Sequence, residues 1–124
     1  MSESIEQLEL FPSATKSEVE LTKDLLEEYE QCLLLRDTFE EDLHDLDKSE
    51  LESYKECVRK IKKIKRAAKS ILDPTIREII DYRYIQCNTY TSTVYHFASK
   101  MDDRTVERKM IKGIETIAEI LKIY

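Results

Sequence analysis

The sequence predicts an all-α protein: an N-terminal helical hairpin over residues 17–72, then a three-helix helix-turn-helix unit over 73–124. Three observations lead there. Charged residues make up 37% of the 124-residue chain, which holds one Gly, two Pro and no Trp. Glu, Lys, Leu, Ile and Arg are good helix formers, and breakers are nearly absent. Apolar residues recur at steps of three and four, with no period-two alternation of the kind a strand needs.

Each element has its own signals. Residues 1–16, with Pro12 and no sustained period, read as a mobile tail. Ser17-x-x-Glu20 reads as a capping box, opening a first helix that runs to about Leu46 on Leu25, Leu26, Tyr29, Cys32, Leu33, Phe39 and Leu43. Asp47-Lys48 reads as a corner. Ser49-x-x-Glu52 reads as a second capping box, followed by the seam Leu51, Tyr54, Val58, Ile61, Ile64, Ala68 and Ile71. That seam is heptad-like, able to close within one chain or between two. Asp73-Pro74 combines an N-cap with a proline at the first helical position, and the third helix runs to about Gln86 through Ile76, Ile79, Ile80, Arg83 and Tyr84. "CNTYT" breaks it. A short fourth helix over about 92–100 turns Val94, Phe97 and Ala98 inward, and a fifth spans about 103–122, capped by Asp102 or Asp103.

Composition also excludes chemistry. One glycine cannot build a glycine-rich phosphate loop or dinucleotide fingerprint. Cys32, Cys57 and Cys87 form no CxxC pair and are odd in number, so they read as reduced thiols. His44 among Asp42, Asp45 and Asp47 matches no calcium-loop spacing, and His96 has no paired acid or nucleophile. No cofactor, metal or enzymatic activity is therefore expected. The start, MSESIEQ, is acidic where a signal peptide is basic, and the longest aliphatic run is Leu33-Leu34-Leu35. Both features lead to the expectation of a cytoplasmic protein with no membrane partner.

Charge is unevenly spread. Residues 1–50 hold 16 acids and 4 bases (net −12), and residues 51–124 hold 16 bases and 10 acids (net +6). The total of −6 thus hides a basic half, which points to a polyanion partner. In residues 59–69 seven bases appear with no acid. Cross-helix pairing with the acidic first helix is the expected fate of that run, with contact to flanking phosphates as the alternative. On the fifth helix, Val106, Met110, Gly113, Ile114, Ile117 and Leu121 share one side, and Arg104, Thr105, Arg108, Lys109 and Lys112 the opposite arc. A basic, hydrogen-bonding first half is what a recognition helix presents to the major groove. Gly113 reads as a point of close packing against the third helix.

The stretch "DPTIREIIDYRYIQCNTYTSTVYHFASKMDDRTVERKMIKGIETIAEIL", residues 73–121, resembles region four of sigma factors of the sigma-seventy type. It is closer to the small phage late-gene activators of the RinA and ArpU kind. "IIDYRYIQ" matches a helix ending in an Arg-Tyr pair, "TSTVYHFASKM" the short helix, and "DDRTVERKMIKGIETIAEIL" the recognition helix. Tyr95-His96-Phe97 is bulkier than the acidic and small residues common in the short helix, and Cys87-Asn88 stands where a Gly turn is common. The resemblance implies a phage or prophage late-gene activator in the bacterial host cytoplasm. Double-stranded DNA would be held by Arg104, Thr105, Arg108, Lys109 and Lys112. The hairpin is expected to form a homo-oligomer or to recruit another protein such as RNA polymerase. Two other readings stay open: a small-terminase-like DNA packaging protein, and an interaction regulator that binds no DNA.

Overall fold

The computed structural model describes residues 13–123. It is all-α: among the described residues there are five α-helices and no strand. In order they are α1 (Lys16–Glu41), α2 (Lys48–Lys69), α3 (Pro74–Ile80), α4 (Tyr90–His96) and α5 (Asp103–Leu121). A single 3-10 turn, Leu43–Asp45, lies between α1 and α2, and a π-helical turn, Asp81–Ile85, continues α3.

Both N-terminal capping boxes exist, but neither uses the expected serine. α1 starts from Thr15, whose hydroxyl accepts the Glu18 N–H (3.2 Å) while Glu18 accepts the Thr15 N–H (2.8 Å). Ser17 and Glu20 fit the same pattern two residues later and lose. The earlier start is held by tertiary contacts: Lys122 Nζ donates to the Ser13 carbonyl (2.8 Å) and lies 3.3 Å from Glu18 Oε1. The part of the expected tail at positions 13–16 is thus built into the fold, and positions 1–12 lie outside the described residues. α2 likewise starts from Asp47, which accepts the Glu50 N–H (2.8 Å), and not from Ser49. Asp caps as well as Ser does, and Glu50 completes the box. The corner between the helices therefore comes earlier, at 42–47, and α1 ends at Glu41 instead of near Leu46.

α1 and α2 pack side by side across that corner. Phe39 meets Tyr54 edge-on with ring centroids 6.3 Å apart, and the Tyr54 hydroxyl donates to Glu40 (2.8 Å). The second half of the seam closes inside the chain: Ile61, Ile64, Ala68 and Ile71 are buried, while Leu51, Tyr54 and Val58 are half-buried. One hydrophobic core joins Leu26 and Tyr29 of α1, Ile61 and Ile64 of α2, and Ile79, Ile80, Ile114 and Ile117 of the C-terminal helices. The boundary expected at residue 72 is a boundary in sequence; the core runs across it.

Asp73 caps α3 by accepting the Thr75 and Ile76 N–H groups (2.9 and 3.2 Å), with Pro74 at the first position. The α-helix then widens at Asp81, and the Gln86 N–H reaches the Asp81 carbonyl (2.9 Å). The wide turn buries Tyr84 and leaves Tyr82 facing α4, where the His96 ring stacks on it at 4.1 Å and Phe97 meets both edge-on. Cys87 ends the segment at φ 58°, a left-handed position where glycine carries no Cβ penalty. Arg83 locks the turn by donating to the Asn88 carbonyl (2.8 Å), and Asn88 Nδ2 donates to the Tyr82 carbonyl (2.8 Å).

α4 starts earlier and is shorter than its sequence suggests. Thr89 caps it, accepting the Ser92 N–H (3.0 Å), and turns replace helix after His96. Phe97 is buried and Val94 half-buried, as their spacing predicts, but Ala98 is exposed. The helix has already ended there, so its periodicity no longer sets the direction. α5 packs against α3 at Gly113. A Cβ on that residue would lie 2.6 Å from Ile80 Cδ1 and 3.1 Å from Ile76 Cγ2.

Candidate nucleic-acid interface

The five residues singled out on α5 are not equivalent. Asp102 caps the helix, accepting the Thr105 N–H (2.8 Å). Its carboxyl is held below the ordinary aspartate range, first by hydrogen bonding to Thr105 and then by the positive charge of Arg108. The cap fixes where the first turn points. Val106, Met110, Gly113, Ile114 and Ile117 are buried, so the helix cannot rotate about its axis without exposing its core face. The outward side is thereby set. Arg104, Arg108 and Lys112 stand on it, exposed and four residues apart. Thr105 and Lys109 are half-buried on the flank. Among the described residues, Arg104, Arg108, Lys109 and Lys112 form no ion pair.

The same outward face carries residues that the basic pattern does not announce. Arg104, Glu107, Arg108, Ile111, Lys112 and Glu115 together line a shallow depression. Positions 104, 107, 108, 111, 112 and 115 follow the three-and-four rhythm of one helix face, so the signal was in the spacing. Three cations therefore share the face with two carboxylates. Ile111 is half exposed at its centre, with 51% of its surface open.

α1 runs along the flank of α5 on the Glu107 side. Lys122 meets Ser13 and Glu18 at one end. At the other, Glu20, Lys23 and Glu27 border a cleft with Arg83, Tyr84, Tyr90, Glu107, Met110 and Ile111. The Arg83 guanidinium lies over the Tyr84 ring at 4.6 Å. Acidic side chains thus flank the basic arc without covering it.

The basic run on α2 is not neutralised in the expected way. Arg59 pairs with Glu56 of its own helix, and Lys62, Lys63, Lys65 and Lys69 are exposed without an ion pair among the described residues. Long lysines gain little from exposed pairing while losing rotamer freedom. No described helix is long and apolar enough to cross a membrane.

The class that fold and site define is an all-α chain with a capped, basic-faced C-terminal helix. The chain matches no protein-family model, no curated protein and no solved structure.

Proposed function

We propose that this chain is a sequence-specific DNA-binding transcriptional regulator of the phage or prophage late-gene activator kind. α5 enters the major groove by its first three turns, and α4 crosses the backbone above it. The observation that carries the reading is the outward row Arg104, Arg108 and Lys112, exposed and free of ion pairs among the described residues, on a helix whose opposite side is locked in the core. An arginine in that position bonds two acceptors of a guanine edge, and lysine serves a base or a phosphate. The role is binding, not catalysis.

Long-range attraction contributes little to this reading. Glu107 and Glu115 on the same face, Glu20 and Glu27 beside it and a net charge of −6 oppose the approach of a polyanion, and beyond about one Debye length, ~8–10 Å, charge of either sign is screened. Affinity must then come from short-range contacts, which favours a chosen sequence over DNA at large. RNA polymerase remains the expected protein partner of an activator.

The test is selection of bound fragments from fragmented phage and host genomes with the purified protein, at low and moderate salt. A discrete set of fragments retained at the higher salt supports the proposal. No retention at either salt rejects it. One observation favours a second reading, an interaction regulator that binds no DNA: the half-exposed Tyr90 and Ile111 border an acid-edged cleft suited to a basic, apolar peptide. Capture of one protein partner, with no fragment retained, would select that reading.

A further inference from the structure

Two neighbouring helices carry opposite, unspent charge. On α1, Glu20, Asp24, Glu27 and Glu28 are exposed, and among the described residues none has an ionic partner. On α2, Lys55, Lys62 and Lys69 are exposed and without an ion pair among the described residues, with Arg59 beside them paired to Glu56 of the same helix, over about 21 Å of helix at 1.5 Å per residue. Although α1 and α2 pack side by side, Arg36 pairs with Asp37 and Arg59 with Glu56, each within its own helix, and Glu18 of α1 pairs with Lys122. The inner faces are spent on the core. Leu34 and Leu35, 64% and 40% exposed, interrupt the polar outer surface of α1.

From this we infer that the chain associates with itself head to tail, the acidic outer face of α1 in one copy against the basic outer face of α2 in the next. A nucleic acid would satisfy only half of the arrangement. Only a partner that is itself bipolar satisfies both faces, and a second copy is such a partner. Contacts of this kind use two different patches. They close into a ring, or they continue as a filament when the rotation does not close. Leu34 and Leu35 supply apolar area that loses water in the contact. The association does not depend on DNA.

Sedimentation of the full-length chain at low and high salt tests this, together with two charge-reversed variants. One is Arg59→Glu/Lys62→Glu/Lys69→Glu, and the other is Asp24→Lys/Glu27→Lys/Glu28→Lys. The wild type should sediment above monomer mass at low salt and return toward monomer at high salt, with association weakened about tenfold or more. Each variant alone should be monomeric with wild-type helicity by circular dichroism. Their equimolar mixture should associate, because each offers the face the other needs. A wild type that is monomeric at low salt overturns the inference even where a variant fails to fold. So does a variant that associates like wild type, or a mixture that stays monomeric. Assembly appearing only with random-sequence duplex, and lost only in the α2 variant, would overturn it by assigning the lysines to phosphate.

Discussion

Replacing Gly113 by Ala sets two effects of known size against each other. In a helix interior Ala is favoured over Gly by about 1 kcal/mol, so propensity alone predicts a more stable protein. The structure predicts the reverse. The new methyl would lie 2.6 Å from Ile80 Cδ1 and 3.1 Å from Ile76 Cγ2, with Ile80 Cγ1 closer still. Ile80 is fully buried and cannot turn its side chain out to solvent. Overpacking of a close-packed core costs about 1–3 kcal/mol, and contact at this separation belongs at the upper end. The net expectation is a loss of roughly 1–2 kcal/mol after the propensity gain. Urea unfolding followed by circular dichroism measures it, with an unchanged m-value as the sign that the unfolded state is the same. A size swap makes the test specific. Ile80→Ala alone should cost about 2–5 kcal/mol. In the double variant the new methyl fills part of the space vacated, so the two losses should fall short of their sum by about 1 kcal/mol or more. A Gly113→Ala variant more stable than wild type, or strictly additive losses, would refute the packing of α5 on α3.

Three further expectations follow from single residues. Cys87 sits at φ 58° with a thiol that packs against the core; Cys87→Gly should stay within about 1 kcal/mol of wild type because relief of strain offsets lost contact and added chain entropy, whereas the β-branched Cys87→Val should cost about 1–3 kcal/mol in the same urea assay. Glu18 and Asp102 both have carboxyls lowered by cap hydrogen bonds. Their folded-state values lie below their unfolded ones, so the stabilisation they give is complete above the ordinary carboxylate range and is lost as pH falls through the lowered values. Urea midpoints should therefore drop below about pH 4, and Asp102→Asn, which keeps a cap without a titrating group, should show a shallower drop. Thr89→Ala removes the cap of α4 and should cost about 1 kcal/mol, read as a lower melting temperature.

Much of this fold is legible in the sequence because local rules and tertiary packing agree. Asp73-Pro74 and Asp102 cap where their residue types say they should, and the α2 seam is the inner face of its helix. Disagreement arises where two patterns compete within a few residues. Thr15 and Ser17 both satisfy the capping rule, and a contact from Lys122, more than a hundred residues away, chooses between them. The π-helical turn at Asp81 has no signature in residue type, and it reassigns Tyr82 and Tyr84 to different neighbours. On α5 the buried side follows from periodicity alone. Its outer side is mixed in charge because Glu107 and Glu115 recur at the same three-and-four spacing as the cations whose face they share. Neither the flanking course of α1 nor the lack of pairing along α2 can be read from sequence, because both depend on how whole helices are placed.

Whether the outward face of α5 reads base edges is decided by the Arg104→Ala/Arg108→Ala variant. Its binding to a fragment retained by the wild type should be measured over a series of salt concentrations, beside a shuffled duplex. Helicity and melting should be unchanged, preference over the shuffled duplex should fall by about 1–3 kcal/mol per lost base contact, and the salt slope should become shallower by up to about 2 if both arginines also neutralise phosphates. Binding with wild-type preference and slope by a fully folded double variant would contradict a base-reading face.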